Sequence, residues 1–518
     1  MRRALQHPLA PAVGCALVCV GYMLAQPATA DMAAHSYRAW LFEHQGLTVW
    51  NAQWYGGHHV LGYSLLFAPL AAAVGPAVVG VCAAVVAVAL FVPLARAAAP
   101  SPAAGAIASW LFTAGVLSNV AIGRMPFLLG IALGVGAWSA GRSGRRVLSG
   151  GLGLATMLAS PVAGVFLMLG AVAKLIADGR GALRTAAWIG LPTLVGGIAL
   201  YLLFPEGGND RFAATAFWPM LVLSAAGVAL LAPGRRTLWA GGLLYLGVLI
   251  GAFVVPSPFG QNALRLGVLA GPAVLALAHR RRVPWPALVA VGVGLLYLQW
   301  LPAVRAVAEA HGDPSTRIAF QAEARDFLAR VTKPGERVEV PMTKNHWEAA
   351  DLAKVVPLAR GWERQLDQKA NPLFYDNEEL TAGRYHAWLR ENAVRYVALP
   401  AAPLDYSARE EALVLERGAS FLQLVYDSPR WRIWRVRGTD PPASNGARML
   451  AAGPNWFMVH ARRATVVRYR YTPYWSAPSA CLSRAPGGWT RVEPKAENVV
   501  LVQAKFGLER GRRAKDCD

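Results

Sequence analysis

The sequence predicts a polytopic, mainly α-helical membrane protein that carries a polar domain on its carboxyl side. Three observations predict it. Of 518 residues, 55% are apolar and only 16% charged, where a soluble chain has about a quarter charged. The charge is also unevenly placed: residues 1–302 hold five acids and 18 bases, and residues 303–518 hold the other 25 acids and 33 bases. Finally, apolar runs recur through the front part, and several reach the ~20 residues a helix needs to cross a ~30 Å hydrocarbon core. This composition excludes a purely soluble or disordered chain. The formal charge of +21 is spread between apolar runs, which fits basic loops at a membrane surface and argues against nucleic-acid binding.

The runs fall at roughly 10–17, 77–94, 104–121, 126–140, 147–159, 161–175, 186–204, 213–232, 237–255, 265–279 and 284–301. The shorter ones must tilt, break or thin the bilayer to span it. Segment 60–75, ending at Gly75-Pro76, reads as a re-entrant or interfacial helix before the crossing at 77–94. The basic clusters Arg2-Arg3, Arg96, Arg142/Arg145/Arg146, Arg180/Arg184, Arg235-Arg236 and Arg280-Arg281-Arg282 belong on the cytoplasmic side. Eleven crossings result, within a class of about 11–13 transmembrane helices. The amino terminus is then cytoplasmic and the carboxyl-terminal domain is external to the cytoplasmic (inner) membrane. Ala28-Thr29-Ala30 before Asp31 also matches a signal-peptide cleavage pattern, so the first helix is either retained or removed. The topology beyond it is the same in both cases.

This topology sorts the polar residues of the front part. Asp31, Glu43, Glu206 and Asp210, with Arg38, Arg124, Arg211 and Arg265, come to one outer face from four loops, 31–59, about 122–125, 205–212 and 256–265. Charges near a bilayer usually line a cavity or pathway; solvated loops with local ion pairs are the plainer reading. In the first external loop, 31–59, Asp31, His35 and Arg38 stand at i, i+4 and i+7, one face of a helix. Trp50, Trp54 and Tyr55 suit an interfacial belt, or stacking on a sugar ring. Asp31, His35, His58 and His59 match no standard zinc spacing, so no metal or other cofactor is expected; a divalent cation is the disfavoured alternative. A carboxylate beside His and Arg is also what a general base requires.

This loop resembles that of the GT-C superfamily of polyprenyl-phosphate-sugar glycosyltransferases. There, a first helix precedes a long external loop, an acid just after that helix is the catalytic base, and a Trp/Tyr/Gly/Pro-rich stretch leads into a short interfacial helix. Asp31 matches the acid, and Trp50 to Tyr63 followed by Pro69 is similar to the stretch. Members with two adjacent acids differ, because Asp31 is followed by Met32. The resemblance implies a membrane glycosyltransferase with a GT-C-like transmembrane domain at 1–302. It would move a hexose or pentose from a polyprenyl-phosphate donor to a glycan, lipid or protein acceptor of the cell envelope. Asp31 would deprotonate the acceptor. Arg265, in Pro258-Phe259-Gly260-Gln261-Asn262-Ala263-Leu264-Arg265, or Arg124 would hold the departing phosphate. Glu206, Asp210 and Arg211 lie in a Gly-rich loop that either closes over the acceptor or only connects helices.

Residues 303–440 read as α/β and 441–518 as a β-sandwich, the latter from alternation such as Thr465 to Tyr471. Trp347 in Asn345-His346-Trp347-Glu348 and Trp362 in Arg360-Gly361-Trp362-Glu363-Arg364 combine aromatic and polar groups, as sugar binding needs. Packing of the domain is the equal alternative. Cys481 and Cys517 are expected to form a disulfide in an oxidising exterior; two free thiols are the alternative. The rival to the whole reading is a multi-pass transporter or lipid flippase. It is disfavoured because the helix interiors lack acids and no repeated halves are visible. A non-catalytic envelope assembly protein is a third reading.

Overall fold

The computed structural model describes residues 6–231, 234–278, 283–376, 378–495 and 498–505. Arg2-Arg3, Arg280–Arg282 and Cys517 lie outside them. The chain divides into two compact units, Met1–His35 with Gly62–His311, and Ser36–Leu61 with Gly312–Asp518.

The first unit is helical. Its helices are α1 (Ala10–Ala25), the start of α2 (Ala30–Gln45), α3 (Phe67–Val74), α4 (Pro76–Ala98), α5 (Pro102–Ile122), α6 (Met125–Arg142), α7 (Arg146–Ala159), α8 (Pro161–Asp178), α9 (Leu183–Leu203), α10 (Ala214–Leu230), α11 (Arg236–Val254), α12 (Leu264–Ala278) and α13 (Trp285–Ala310). Prolines open several of them, where a missing N–H costs nothing: Pro76, Pro102 and Pro161 are first residues. Ser101 and Ser160 cap α5 and α8 by accepting from the backbone N–H groups of Ala104 and Ala163. Small residues bring the helices close. A Cβ on Gly153 of α7, for example, would stand 2.9 Å from the Ile189 carbonyl oxygen of α9.

Each of the eleven expected crossings is a helix. Among the described residues seven are long and apolar enough to span a membrane alone, and the α1–α2 pair, bent by 78°, makes up to eight. Arg146–Ala159 and Ala214–Leu230 are shorter apolar helices. Seven or eight of the expected crossings are thus full-length spans, and the others are the shorter or less apolar helices that must tilt, break or thin the bilayer. The last helix also runs through Pro302 to Ala310, so the boundary expected at 302 moves to 311.

In the second unit, α14 (Ile318–Val331), β3 (Arg337–Glu339), α15 (Glu348–Asp351), α16 (Arg364–Ala370), α17 (Ala382–Glu391), β4 (Val394–Pro400), α18 (Arg409–Arg417), β5 (Leu422–Asp427) and β6 (Trp431–Val436) form an α/β layer. Its sheet order is β3-β4-β6-β5, with β3 and β4 parallel and the other pairs antiparallel. Leu389, Val394, Val397, Leu415 and Val436 are its core. The β-sandwich expected after 441 is present as two sheets. One holds β10 (Trp475–Ser476), β13 (Val499–Ala504), β8 (Trp456–His460) and β7 (Arg448–Gly453); the other holds β11 (Ala480–Arg484), β12 (Trp489–Pro494) and β9 (Thr465–Arg470). Alternate residues such as Phe457, Val459, Val467, Val492, Val500 and Val502 are buried, as a half-buried strand requires.

Most of the loop that follows the first helix does not stay with the helical unit. Ser36–Leu61 belongs to the second unit. It forms a short hairpin of β1 (Trp50–Asn51) and β2 (His58–His59). The Ala52 N–H donates to the Pro454 carbonyl at 2.6 Å, and the Leu358 N–H donates to the Gln53 carbonyl at 2.8 Å.

Candidate active site

Within the helical unit, the turn between α5 and α6 organises the polar face. Gly123 ends α5 in the left-handed region (φ 92). A Cβ there would meet Thr29 Oγ1 at 2.8 Å and Met32 Cγ at 2.9 Å. The Thr29 hydroxyl donates to the Ile122 carbonyl at 2.8 Å. This bond pins the start of α2 to the end of α5 and so sets Asp31, in the first turn of α2, near Arg124. Asn119 holds Arg124 from the other side. Its Nδ2 donates to the Gly115 carbonyl at 2.8 Å, which turns Oδ1 toward Arg124 Nη1 at 3.4 Å. The Arg124 backbone N–H donates to the Asn119 carbonyl at 3.0 Å.

The electrostatics show which groups converge. Burial and the positive field of Arg265 pull the Arg124 guanidinium down to about 10, while Asp31, Tyr63 and Asp210 act in the opposite sense. Arg124 still carries its charge at neutral pH, and its buried Nε has no hydrogen-bond partner. Arg265, in the first turn of α12, lies over the Phe127 ring with 5.4 Å to the centroid. Among the described residues Arg265 has no ion-pair partner, and Asp31 has neither a hydrogen-bond nor an ion-pair partner. Two guanidinium groups, Arg124 and Arg265, thus lie near the Asp31 carboxylate.

Asp210 is buried and accepts from Asn262 Nδ2 at 3.0 Å, and its own N–H donates to the Ser257 carbonyl at 3.0 Å. Gly260 makes this contact possible: a Cβ there would stand 1.7 Å from the Asp210 carbonyl oxygen. The loop 205–212 is thereby fastened to the turn that launches Arg265. His35, one turn beyond Asp31, is buried against Tyr63 and Phe67, with ring centroids at 6.1 and 5.2 Å. Glu206 is half-buried in the same loop as Asp210, and Arg211 is exposed.

The structure thus brings together Asp31, Arg124, Asp210, Asn262 and Arg265, with His35 one turn behind. The other candidates belong to the second unit. Arg38 is buried and forms an ion pair with Glu363, with the Trp54 ring 6.0 Å from its guanidinium carbon. His58 stacks on Trp54 at 5.5 Å, and His59 lies against Trp50 at 4.8 Å and meets the Thr472 hydroxyl at 3.2 Å. Both histidines are buried in the packing of the hairpin. Among the described residues no three His, Cys, Asp or Glu side chains gather as a metal site. Trp347 is half-buried at the start of α15. Trp362 carries His346 stacked at 3.6 Å, and the Arg364 guanidinium carbon lies 4.9 Å from its ring, so much of the ring is already covered. Cys481 is disulfide-bonded; Cys517 lies outside the described residues.

Sequence reasoning missed Asn119, Thr29 and Tyr63. An asparagine in the apolar helix at 102–122 was the available signal, since polar side chains inside membrane helices are costly and usually functional.

These features define a multi-pass membrane protein of GT-C-like fold with a carboxyl-terminal α/β and β domain. The arabinofuranosyltransferase AftD from Mycobacteria superposes with a TM-score of 0.50 at 17% identity, over 85% of this chain and 40% of its own. The chain therefore spans about 40% of the length of AftD. ArnT from Cupriavidus metallidurans superposes with TM-score 0.42 (13% identity, 83% of this chain, 98% of its own) when bound to undecaprenyl phosphate. In its apo state the TM-score is 0.38 (14% identity, 83% and 99%). At these identities the likeness is one of fold. No protein-family model and no curated protein sequence matches the chain.

Proposed function

We propose that the protein is a membrane glycosyltransferase that moves a sugar from a polyprenyl-phosphate donor to an envelope acceptor at the outer face of the inner membrane. One observation carries this reading: an unpaired carboxylate, Asp31, shares a site with two arginines, Arg124 and Arg265, neither of them neutralised by an ion pair. In the proposed step the acceptor oxygen attacks the anomeric carbon, and the bond from that carbon to the phosphate oxygen breaks. The electron pair leaves on the phosphate, and the acceptor proton passes to Asp31. The arginines stabilise the charge that grows on the leaving oxygen. Asn119 and the Asp210–Asn262 pair hold the arginine-bearing turns in place. The chemistry asks for no cofactor.

The test is transfer by the purified full chain in nanodiscs, supplied with polyprenyl-phosphate-linked pentose and hexose donors and an envelope glycan extract. Sugar should move to the extract with release of polyprenyl phosphate, and the release should be lost in Arg124→Ala/Arg265→Ala. Donor that remains intact with every sugar and extract tried would remove the proposal.

A further inference from the structure

The helical unit holds a groove of about 990 Å³ along α8 and α11. Ile176, Ala177, Trp239, Leu243, Leu244 and Val248 make it apolar, and Arg236 is the one charged residue of its lining. None of these residues takes part in the candidate active site. Trp239, Leu243 and Ile176 are strongly exposed, and α11 is only 17% buried by the rest of the protein, the lowest share among the seven spans. The groove therefore opens toward lipid.

Its chemistry is asymmetric. Arg236 stands at one end, preceded by Arg235; the connection that follows Ile176 and Ala177 carries Arg180, and Arg184 lies in the first turn of α9. The acid between them, Asp178, is already paired with Lys174 at 2.8 Å. Among the described residues Arg235, Arg236, Arg180 and Arg184 have no ion-pair partner. From Arg236 to Val248 the groove follows α11 for about 18 Å at 1.5 Å per residue, slightly more than half of the ~30 Å hydrocarbon core. This is the reach of one leaflet's acyl chain, not of a much longer polyprenyl chain. Gly247, on the groove wall, meets no protein atom within 4 Å of a built Cβ. The bare backbone at Gly247 leaves room on the groove wall for an acyl chain, although open glycines such as Gly251 occur outside the groove as well.

We infer that this groove is a binding site for an anionic glycerophospholipid, with an acyl chain along α11 over Gly247 and the phosphate on Arg236 and Arg235. The site is independent of glycosyl transfer and of the active-site reading.

The experiment is native mass spectrometry of the full chain released from detergent after equilibration with phosphatidylglycerol or phosphatidylcholine of equal chain length. Phosphatidylglycerol should be retained preferentially. Arg235→Gln/Arg236→Gln should erase the preference, at about fivefold per arginine near a charged headgroup, whereas Arg235→Lys/Arg236→Lys should keep most of it. Gly247→Leu, whose side chain enters open space, should lower retention of both lipids while the thermal unfolding temperature does not fall. Equal retention of the two lipids, or full retention by Gly247→Leu, would overturn the assignment. Displacement of phosphatidylglycerol by equimolar polyprenyl phosphate would overturn it in favour of a carrier-lipid site.

Discussion

Asp31→Asn is the sharpest perturbation of the candidate site, because it changes one property and keeps the rest. Asparagine preserves the size of the side chain and its place in the first turn of α2, where Thr29 is bonded to Ile122. What disappears is the only proton acceptor at the site with no hydrogen-bond or ion-pair partner among the described residues. General-base assistance is worth roughly 10²–10⁴ in rate, or about 3–5 kcal/mol of barrier, and turnover should fall by that factor. The effect on donor binding has the opposite sign. Asp31 lends its negative field to Arg124, so its removal leaves the two arginines less balanced and the site more positive. A phosphate-bearing donor should therefore bind as well as before or better. The assay is steady-state transfer from a radiolabelled polyprenyl-phosphate sugar by the full chain in nanodiscs, with donor affinity measured separately by titration. The expected result is a lower kcat with an unchanged or lower KM for the donor. A variant with near wild-type turnover, or one whose donor affinity falls in parallel with turnover, would refute the assignment of Asp31 as the base.

Arg265→Ala should weaken donor affinity and turnover together by roughly 10–100-fold, the worth of a charge-assisted hydrogen bond, and Arg265→Lys should restore only part because the planar fork is lost; kinetics with unchanged donor KM would contradict it. In the second unit, burial pushes the Glu411 carboxyl up to about 7, and burial with the neighbouring Glu411 raises Glu339 as well. A raised acid stabilises the fold below its ordinary pKa and loses that stabilisation as pH rises through the folded value. The unit should therefore lose on the order of 3 kcal/mol between about pH 4.5 and 7, and Glu411→Gln should flatten that profile in urea-dependent proteolysis of the full chain. Peptide mapping of unreduced protein should recover Cys481 linked to Cys517, and the bond should contribute roughly 3 kcal/mol; free thiol at Cys517 would contradict the pairing. Reporter fusions at Arg145 and Arg235 should read cytoplasmic and fusions after His311 external; a cytoplasmic carboxyl-terminal unit would undo the charge sorting.

The helices were legible because hydropathy and proline placement act locally: Pro76, Pro102 and Pro161 mark helix starts whatever surrounds them. The sandwich was legible for a similar reason, since Val466, Arg468 and Arg470 alternate with buried Thr465, Val467 and Tyr469. The number of full spans was less so, because length and apolar content are measured against a helix whose ends the sequence marks only loosely. Asp31, Arg124, Asp210 and Arg265 lie in one unit, although most of the loop that follows Asp31 belongs to the other.

Four of the candidate residues belong to the second unit, and their contacts there were not legible in the sequence. Arg38, His58, His59 and Trp362 are chemically suited to bind a sugar or a phosphate. Arg38 and His59 find partners far along the chain, whereas His58 stacks on the nearby Trp54 and Trp362 on the nearby His346. Arg38 pairs with Glu363, His59 meets Thr472, and Trp362 carries His346 and Arg364. A local pattern holds no information about a contact hundreds of residues away, so a loop rich in functional side chains reads as a site when much of it is a hairpin zipped into a folded domain. Asp31 and Arg38 illustrate the difference on one helix face. They are two turns apart on α2, yet the boundary between the units falls between His35 and Ser36. The buried Arg38 charge is compensated by Glu363, and truncating either partner would leave a charge stranded in the interior. Asp31 has no such partner among the described residues, which is why its substitution tests the proposed base without disturbing a buried ion pair.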